Sequence, residues 1–438
     1  MYWRHNTGLA EASTCRNGHG PEAPPRVPKI NGLPPNGCLP QGCHMAETGL
    51  FDIQNEVEVS SEGAHRLRGG HLWVYEGDVV AAPAAPAPIV RVKDASHNFI
   101  GFAFYSPNSQ IRLRLLSRDI QPPTEELIRD RVRRSIERRH DRRQPEGACR
   151  LVFGEADLLP SVIVDRYRDH LVLQTLSSAA DALTGLLVDI LRELENPAGI
   201  LERNDVKARR LEGLQERSGV LWGNVPEQVM ISEGGVGFWV DLFHGQKTGF
   251  FLDQSDNRIA ARSYASGRCL DCFTNTGAFA LHFAQRCQSV VGVDSSKDAL
   301  AQARRNADLN GLTNIEFQEG NVFDYLRERE SAGEKFHTIC LDPPAFAKNR
   351  GTLPAARGGY KEINLRAMKL LEAEGILVTS SCSYHLSEGD FFELLHQAAQ
   401  DAHCQVQVLE RRAQSADHPV LLGMPETHYL KCFILRVL

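Results

Sequence analysis

The sequence predicts an α/β protein whose C-terminal half is a mostly parallel sheet, preceded by a small β-barrel and a small α/β unit. Three observations predict it. From about Val229 onward, apolar runs of strand length (RCLDCF, SVVGVD, NIEFQEG, HTICLD, GILVTSSC) alternate with helical segments such as SKDALAQARRNADLNG, the pattern of strands joined by crossover helices. After Asp401, VQVLERR and YLKCFILRV read as a closing antiparallel pair. Between Glu56 and Arg118, β-like runs (VEVS, HLWVYEGDVV, PIVRVKD, FIGFAFYS, IRLRLLS) lie close together and are separated by Gly, Pro and Asn, as in a barrel or sandwich.

At 438 residues, the chain is long enough for two or three domains with real cores. A hydrophobic content of 42% with 24% charged residues is that of a soluble globular protein. No run of about eighteen apolar residues argues for a membrane span, and the N-terminus lacks the apolar core of a signal peptide. The net charge of −6 gives no global sign of nucleic-acid binding, so any basic footprint must be local. Eleven scattered cysteines, an odd number, read as reduced thiols in a cytoplasmic protein.

Residues 1–52 are rich in Gly, Pro and Asn, have no apolar period and are expected to be disordered. Cys15, Cys38 and Cys43 with His5, His19 and His44 match no zinc spacing, so no metal is expected; Met45 is an alternative start. Residues 53–120 form the barrel. Its last strand alternates Ile111, Leu113 and Leu115 with Arg112 and Arg114, which suggests an apolar face and a basic, RNA-facing one. Residues 121–228 open with TEELIRDRVRRSIERRHDRR, a helix with acids first and bases last, as the helix dipole prefers. Its arginines, Arg133, Arg134 and Arg138 among them, are either a solvated face or an RNA contact. SVIVDRY, HLVLQTL and GILERND then read as strands, and DALTGLLVDILRELE as an amphipathic helix.

Residues 229–438 carry the chemistry. The run Phe336–Leu341 ends at Asp342 and is broken by Pro343 and Pro344, which cannot extend a ladder. Asp342 is thereby expected at the carboxyl end of a strand, where open α/β sheets bind ligands. DCFTNTGAFA brings Asp271, Phe273, Thr276 and Gly277 to a strand-to-helix turn; its single glycine is not the dinucleotide fingerprint. Asp294 and Ser295 follow about 20 residues on, at the spacing of a ribose-binding acid, and Asn321 ends the third strand, where an amide can meet an adenine edge. Cys382 ends the fifth strand among small polar residues, a setting for an exposed thiolate, whereas Cys269, Cys272, Cys287 and Cys340 read as core. Lys247, Gln254 and Arg258 precede the first strand and suit a ligand carboxylate or phosphate.

HGQKTGFFLDQSDNR, DCFTNTGAFA, LDPPAFAKN, RGGYKEIN and ADHPV together resemble the class I S-adenosylmethionine-dependent methyltransferases of large-subunit ribosomal RNA, nearest to the bacterial 23S rRNA cytosine-C5 family with an N-terminal PUA domain. The resemblance runs from about Glu56 to Leu438 and implies a Rossmann-like domain with a mostly parallel seven-stranded sheet behind a PUA-like barrel. It implies that Gly277 and its loop, Asp294 and Asn321 hold S-adenosylmethionine, with Asp342 between cofactor and base. It also implies Cys382 as the nucleophile, Tyr360 and Lys361 near the RNA, ribosomal RNA as partner, and no membrane. Asn321 stands where the family often has Asp, and AAPAAPAP is unlike the usual barrel strand. A homodimer stays open, as do two other readings: methylation of another rRNA position with Cys382 structural, and a non-catalytic RNA-binding assembly factor.

Overall fold

The computed structural model describes residues 49–83, 87–347 and 350–438. Residues 1–48 of the N-terminal extension, with its Cys and His residues and Met45, part of AAPAAPAP, and Lys348 lie outside them; Leu50 and Phe51, at the end of the segment expected to be disordered, pack against the core of the central unit.

Among the described residues, the first sheet has six strands in the order 73–75, 111–117, 99–105, 89–94, 56–59, 79–81. The expected runs are strands, but Ser61–Arg68 is a helix, capped by the Ser60 hydroxyl, which accepts from Gly63 N. Its apolar residues Ala64 and Leu67 close one side of the barrel. The other side is not left to solvent. Ile89, Phe102, Phe104 and Leu116 pack into the core of the central unit, so the strand Ile111–Ser117 is buried on both faces.

The central unit is a five-stranded sheet, 218–223, 199–203, 170–175, 162–167, 148–153. Its edge strands were not legible as strands in the sequence. The predicted amphipathic helix is two, Ser178–Ala182 and Thr184–Glu195, broken at Leu183. The basic helix spans Glu125–Glu137 and buries Ile128, Val132 and Ile136.

The hairpin of Gln228–Glu233 and Val236–Asp241 comes next and stands apart from the parallel sheet, although the alternating pattern had seemed to start there. The C-terminal sheet has seven strands: β1 Arg268–Cys272, β2 Ser289–Asp294, β3 Ile315–Glu319, β4 Phe336–Leu341, β5 Leu371–Ser381, β6 Val406–Arg412 and β7 Lys431–Val437. Their order is 3-2-1-4-5-7-6. The first five pair in parallel; β7 runs antiparallel between β5 and β6. Crossover helices bury both faces, which is why β1 and β4 read as continuous apolar runs. The order reverses between β1 and β4, and ligands of open sheets bind beyond the strand ends at such a point.

Candidate functional site

The loop after β1 is held from inside. Asp271 is buried, and its Oδ2 accepts from Thr274 Oγ1 at 2.6 Å and from Ala280 N at 3.0 Å. Burial, with Asp342 nearby, pushes its carboxyl up to about 7. Asp271 was expected to touch a ligand; it is instead the brace of the loop. Phe273, Asn275 and Gly277 all have positive φ, 62°, 51° and 83°. A backbone alternating through the left-handed region turns successive N–H groups toward one side, as in anion-binding loops. A Cβ at Gly277 would lie 2.6 Å from Leu281 Cδ1 and 3.1 Å from Phe317 Cζ, so no other residue fits there unstrained.

Asp294 at the end of β2 accepts from Asn275 N (3.0 Å) and Ser296 N (2.9 Å), which ties the first loop to the second; Ser295 is exposed beside it. Asn321 caps the helix Val322–Ser331 through Oδ1, which accepts from Phe323 N at 2.9 Å. Its NH2 group keeps its donor capacity. Phe346, in the loop after Pro343 and Pro344, has Phe273 and Phe323 at 6.2 and 5.9 Å between ring centroids. Left-handed backbone turns, a strand-end carboxylate, an exposed amide and partly buried aromatic rings together fit a nucleoside-type cofactor such as S-adenosylmethionine. The sequence offered no signal for Phe323 and Phe346 beyond their closeness to motif residues.

The β4–β5 side is made of charges. Asp342 Oδ1 accepts from Gln254 Nε2 at 2.8 Å, and Gln254 Oε1 in turn accepts from Asn257 at 2.7 Å. Burial, then the charge of Asp253, pushes the Asp342 carboxyl up to about 6. Lys247 does not stand free for a ligand: its Nζ lies 2.5 Å from Asp253 Oδ2, and Tyr429 donates to the same oxygen at 2.6 Å. Burial works against the Asp253 carboxylate, but the charges of Lys247 and His418 together with the hydrogen bonds from Lys247 and Tyr429 outweigh it and hold the group well below the usual range. Arg258 is buried on Glu233 and is likewise not available. Cys382 directly follows β5 and is partly buried; its Sγ lies 3.9 Å from Pro343 O, the carbonyl next to Asp342. Burial, then Asp342, pushes its thiol up to about 12. Cys382 and Asp342 therefore lie close together at the ends of β5 and β4.

The structure corrects several expected RNA contacts. Arg114 has no exposed surface; it donates to Ser106 Oγ, Ile111 O and Glu212 Oε1, because the central unit covers that strand face. Arg112 pairs with Glu76 and is mostly covered. Tyr360 is fully buried, and its hydroxyl is 3.0 Å from Ser383 Oγ, so it braces the loop after β5 rather than facing RNA. Lys361 is paired with Asp401 at 2.7 Å. Arg133 and Arg134 share Asp130 but remain half or more exposed, and Arg138 pairs with Asp157 while about half exposed. These three remain surface cations. Arg139 was not singled out in the sequence; it is buried, grips Asp157 through two N–H groups and donates to Asp417 O.

A PUA-like domain model matches residues 57–118, and a methyltransferase domain model matches residues 265–421. A solved structure from Streptococcus mutans, described as a putative SAM-dependent methyltransferase, superposes with a TM-score of 0.75 at 21% identity, covering 87% of this chain and all of that one. Another, described as a putative methyltransferase complexed with SAH, gives 0.75 at 22% identity with the same coverage. These two show the fold. Among curated proteins, one from Tolumonas auensis named "Ribosomal RNA large subunit methyltransferase I" is 42% identical over 399 residues, 88% of this chain and 100% of that protein. A protein of the same name from Erwinia tasmaniensis is 39% identical over 378 residues, 84% of this chain and 96% of its own length. With that identity carried across the barrel, the central unit and the seven-stranded sheet, this chain belongs to the ribosomal RNA large subunit methyltransferase I family.

Proposed function

We propose that this protein transfers a methyl group from S-adenosylmethionine to C5 of a cytosine in 23S ribosomal RNA, with Cys382 as nucleophile. The observation that carries the reading is the meeting of Cys382 and Asp342 beside the β1–β3 loops. When bound, the cofactor supplies an electrophilic methyl group on a sulfonium. Gly277 and its loop, Asp294 with Ser295, and Asn321 hold it at the sheet edge.

Cytosine C5 is too weak a nucleophile to take a methyl group unaided. Addition of the Cys382 thiolate to C6 would push the ring electrons toward C5, making it nucleophilic enough to accept the methyl group as the bond from that methyl to the sulfonium sulfur breaks and the thioether leaves. Asp342, fixed by Gln254, accepts from the exocyclic amino group or, when protonated, donates to N3 as charge develops there. Loss of the C5 proton to a base then expels the thiol and restores aromaticity. The base must leave its stack to enter a pocket of this kind, so the target is an unpaired or opened nucleotide. Arg133, Arg134 and Arg138 supply backbone contacts on the basic helix. Among the described residues no helix is long and apolar enough to cross a membrane.

The test is nucleoside mass spectrometry of 23S rRNA incubated with protein and cofactor, together with covalent capture on RNA containing 5-fluorocytosine. The expected result is 5-methylcytosine and a trapped adduct lost in Cys382→Ala. Methylation that survives that substitution, or a product at another base position, overturns the reading.

A further inference from the structure

Lys431, the first residue of β7, is 3% exposed. It lies opposite Ser381 in the antiparallel pairing of β5 and β7. Its Nζ donates to Ser383 O at 2.7 Å and Tyr429 O at 2.9 Å, and among the described residues no carboxylate pairs with it. A buried ammonium satisfied only by carbonyls is costly, and such groups are retained where their charge has a use. The carbonyls it grips belong to the residue after Cys382 and to Tyr429, a member of the small cluster with Phe153 and Leu430 against which Cys382 packs. Ser383 is fixed in turn by Tyr360 and by Ala347 N, so the segment carrying the thiol cannot move away from the ammonium.

Around the thiol stand Asp342 and Asp253 on one side of the charge balance, and Lys247 and Lys431 on the other; Glu388 also faces Lys431. Ionising the thiol adds a further negative charge to a cluster that holds these two cations, so the loss of either would raise the cost of forming the thiolate. Lys247 is already committed to Asp253. We propose that Lys431 is a positioning residue whose buried ammonium offsets the charge of the Cys382 thiolate. Burial pulls its ammonium down to about 8, which leaves it mostly charged at neutral pH, and the nearby thiol acts in the opposite sense. No proton passes through Lys431: it stays an ammonium before and after the thiol ionises.

The inference rests on Cys382 as nucleophile, and its test reads the thiol without RNA. The rate of iodoacetamide alkylation at the Cys382 peptide is followed by mass spectrometry from pH 7 to 10 in the full chain, Lys431→Met and Lys431→Arg. The expected result is a rate near pH 7.5 about tenfold lower in Lys431→Met, one unit of thiol pKa, and within about threefold of the parent in Lys431→Arg. In methylation assays kcat should fall in the Met variant with KM for RNA little changed. If circular dichroism shows that Lys431→Met does not fold, Lys431→Gln is read in the same way. An unchanged alkylation profile in a folded, uncharged variant overturns the proposal. Methylation that persists in Cys382→Ala would instead overturn the nucleophile assignment and leave the alkylation result standing.

Discussion

On the β1–β3 side of the sheet edge, each polar side chain is held mostly by backbone N–H groups within about twenty positions of it: Asp271 by Ala280 N and the Thr274 hydroxyl, Asp294 by Ser296 N and Asn275 N, Asn321 by Phe323 N. On the β4–β5 side, Asp342 is held by Gln254, Asp253 by Lys247 and Tyr429, and the Cys382 segment by Lys431 and Tyr360. Those partners are separated by up to 176 positions in the chain. The first side is a set of local turns that can form as each strand ends. The second is a charge cluster whose members set one another's protonation, and it exists only once the sheet has closed.

If this contrast holds, substitutions on the two sides fail differently. The largest effect belongs to Cys382→Ala, expected to lower turnover by at least about 10³-fold while calorimetric binding of the cofactor stays within about twofold. Next comes Asp342→Asn, expected to cost about 10²-fold in kcat. Its second readout is stability. The carboxyl sits at about 6 in the fold against an ordinary 3.8, so between those values the folded state holds the proton more tightly and stability falls as pH rises. The Asn variant should therefore gain Tm over the parent at pH 7.5, with the gain shrinking toward pH 5; equal melting curves at both would contradict the shift.

On the other side, Gly277→Val forces a side chain into a left-handed position against Leu281. It should weaken cofactor binding about tenfold and lower Tm, consistent with about 1–3 kcal/mol of backbone strain. The smallest effect is expected for Arg133→Ala and Arg134→Ala. Each should flatten the salt dependence of rRNA binding by about one unit of slope or less, because both cations already share Asp130. Loss of methylation at saturating RNA in either would place them in the chemistry instead.

The same contrast governs what could be read from the sequence. The single strands of the C-terminal sheet, the glycine turn and the strand-end acids were legible because each is written within ten or so consecutive residues. Cys382 and Asp342 were legible as ends of strands. Their partners were not. Asp253 and Tyr429 sit in segments that read only as a polar motif and a closing strand, and Lys431 reads as an ordinary edge lysine until β5 and β7 are paired. The basic strand failed for a related reason. Alternation of Arg112 and Arg114 with leucines says that two faces differ, but not that a second unit covers the polar one and supplies Glu212 as a counter-charge.

Asp417 lies beyond β6, yet its carboxylate receives Arg150 N at 2.8 Å, and its carbonyl receives Arg139, both from the central unit. Thr248 and Tyr167 add a further tie across the same junction. A fragment cut free at residue 229 would thus keep every strand of its sheet and lose the clasp that steadies the segment leading to Tyr429 and Lys431. The order of the chain therefore separates the formation of the sheet edge from its steadying, because the residues that hold Asp417 lie in the central unit and not in the sheet's own domain.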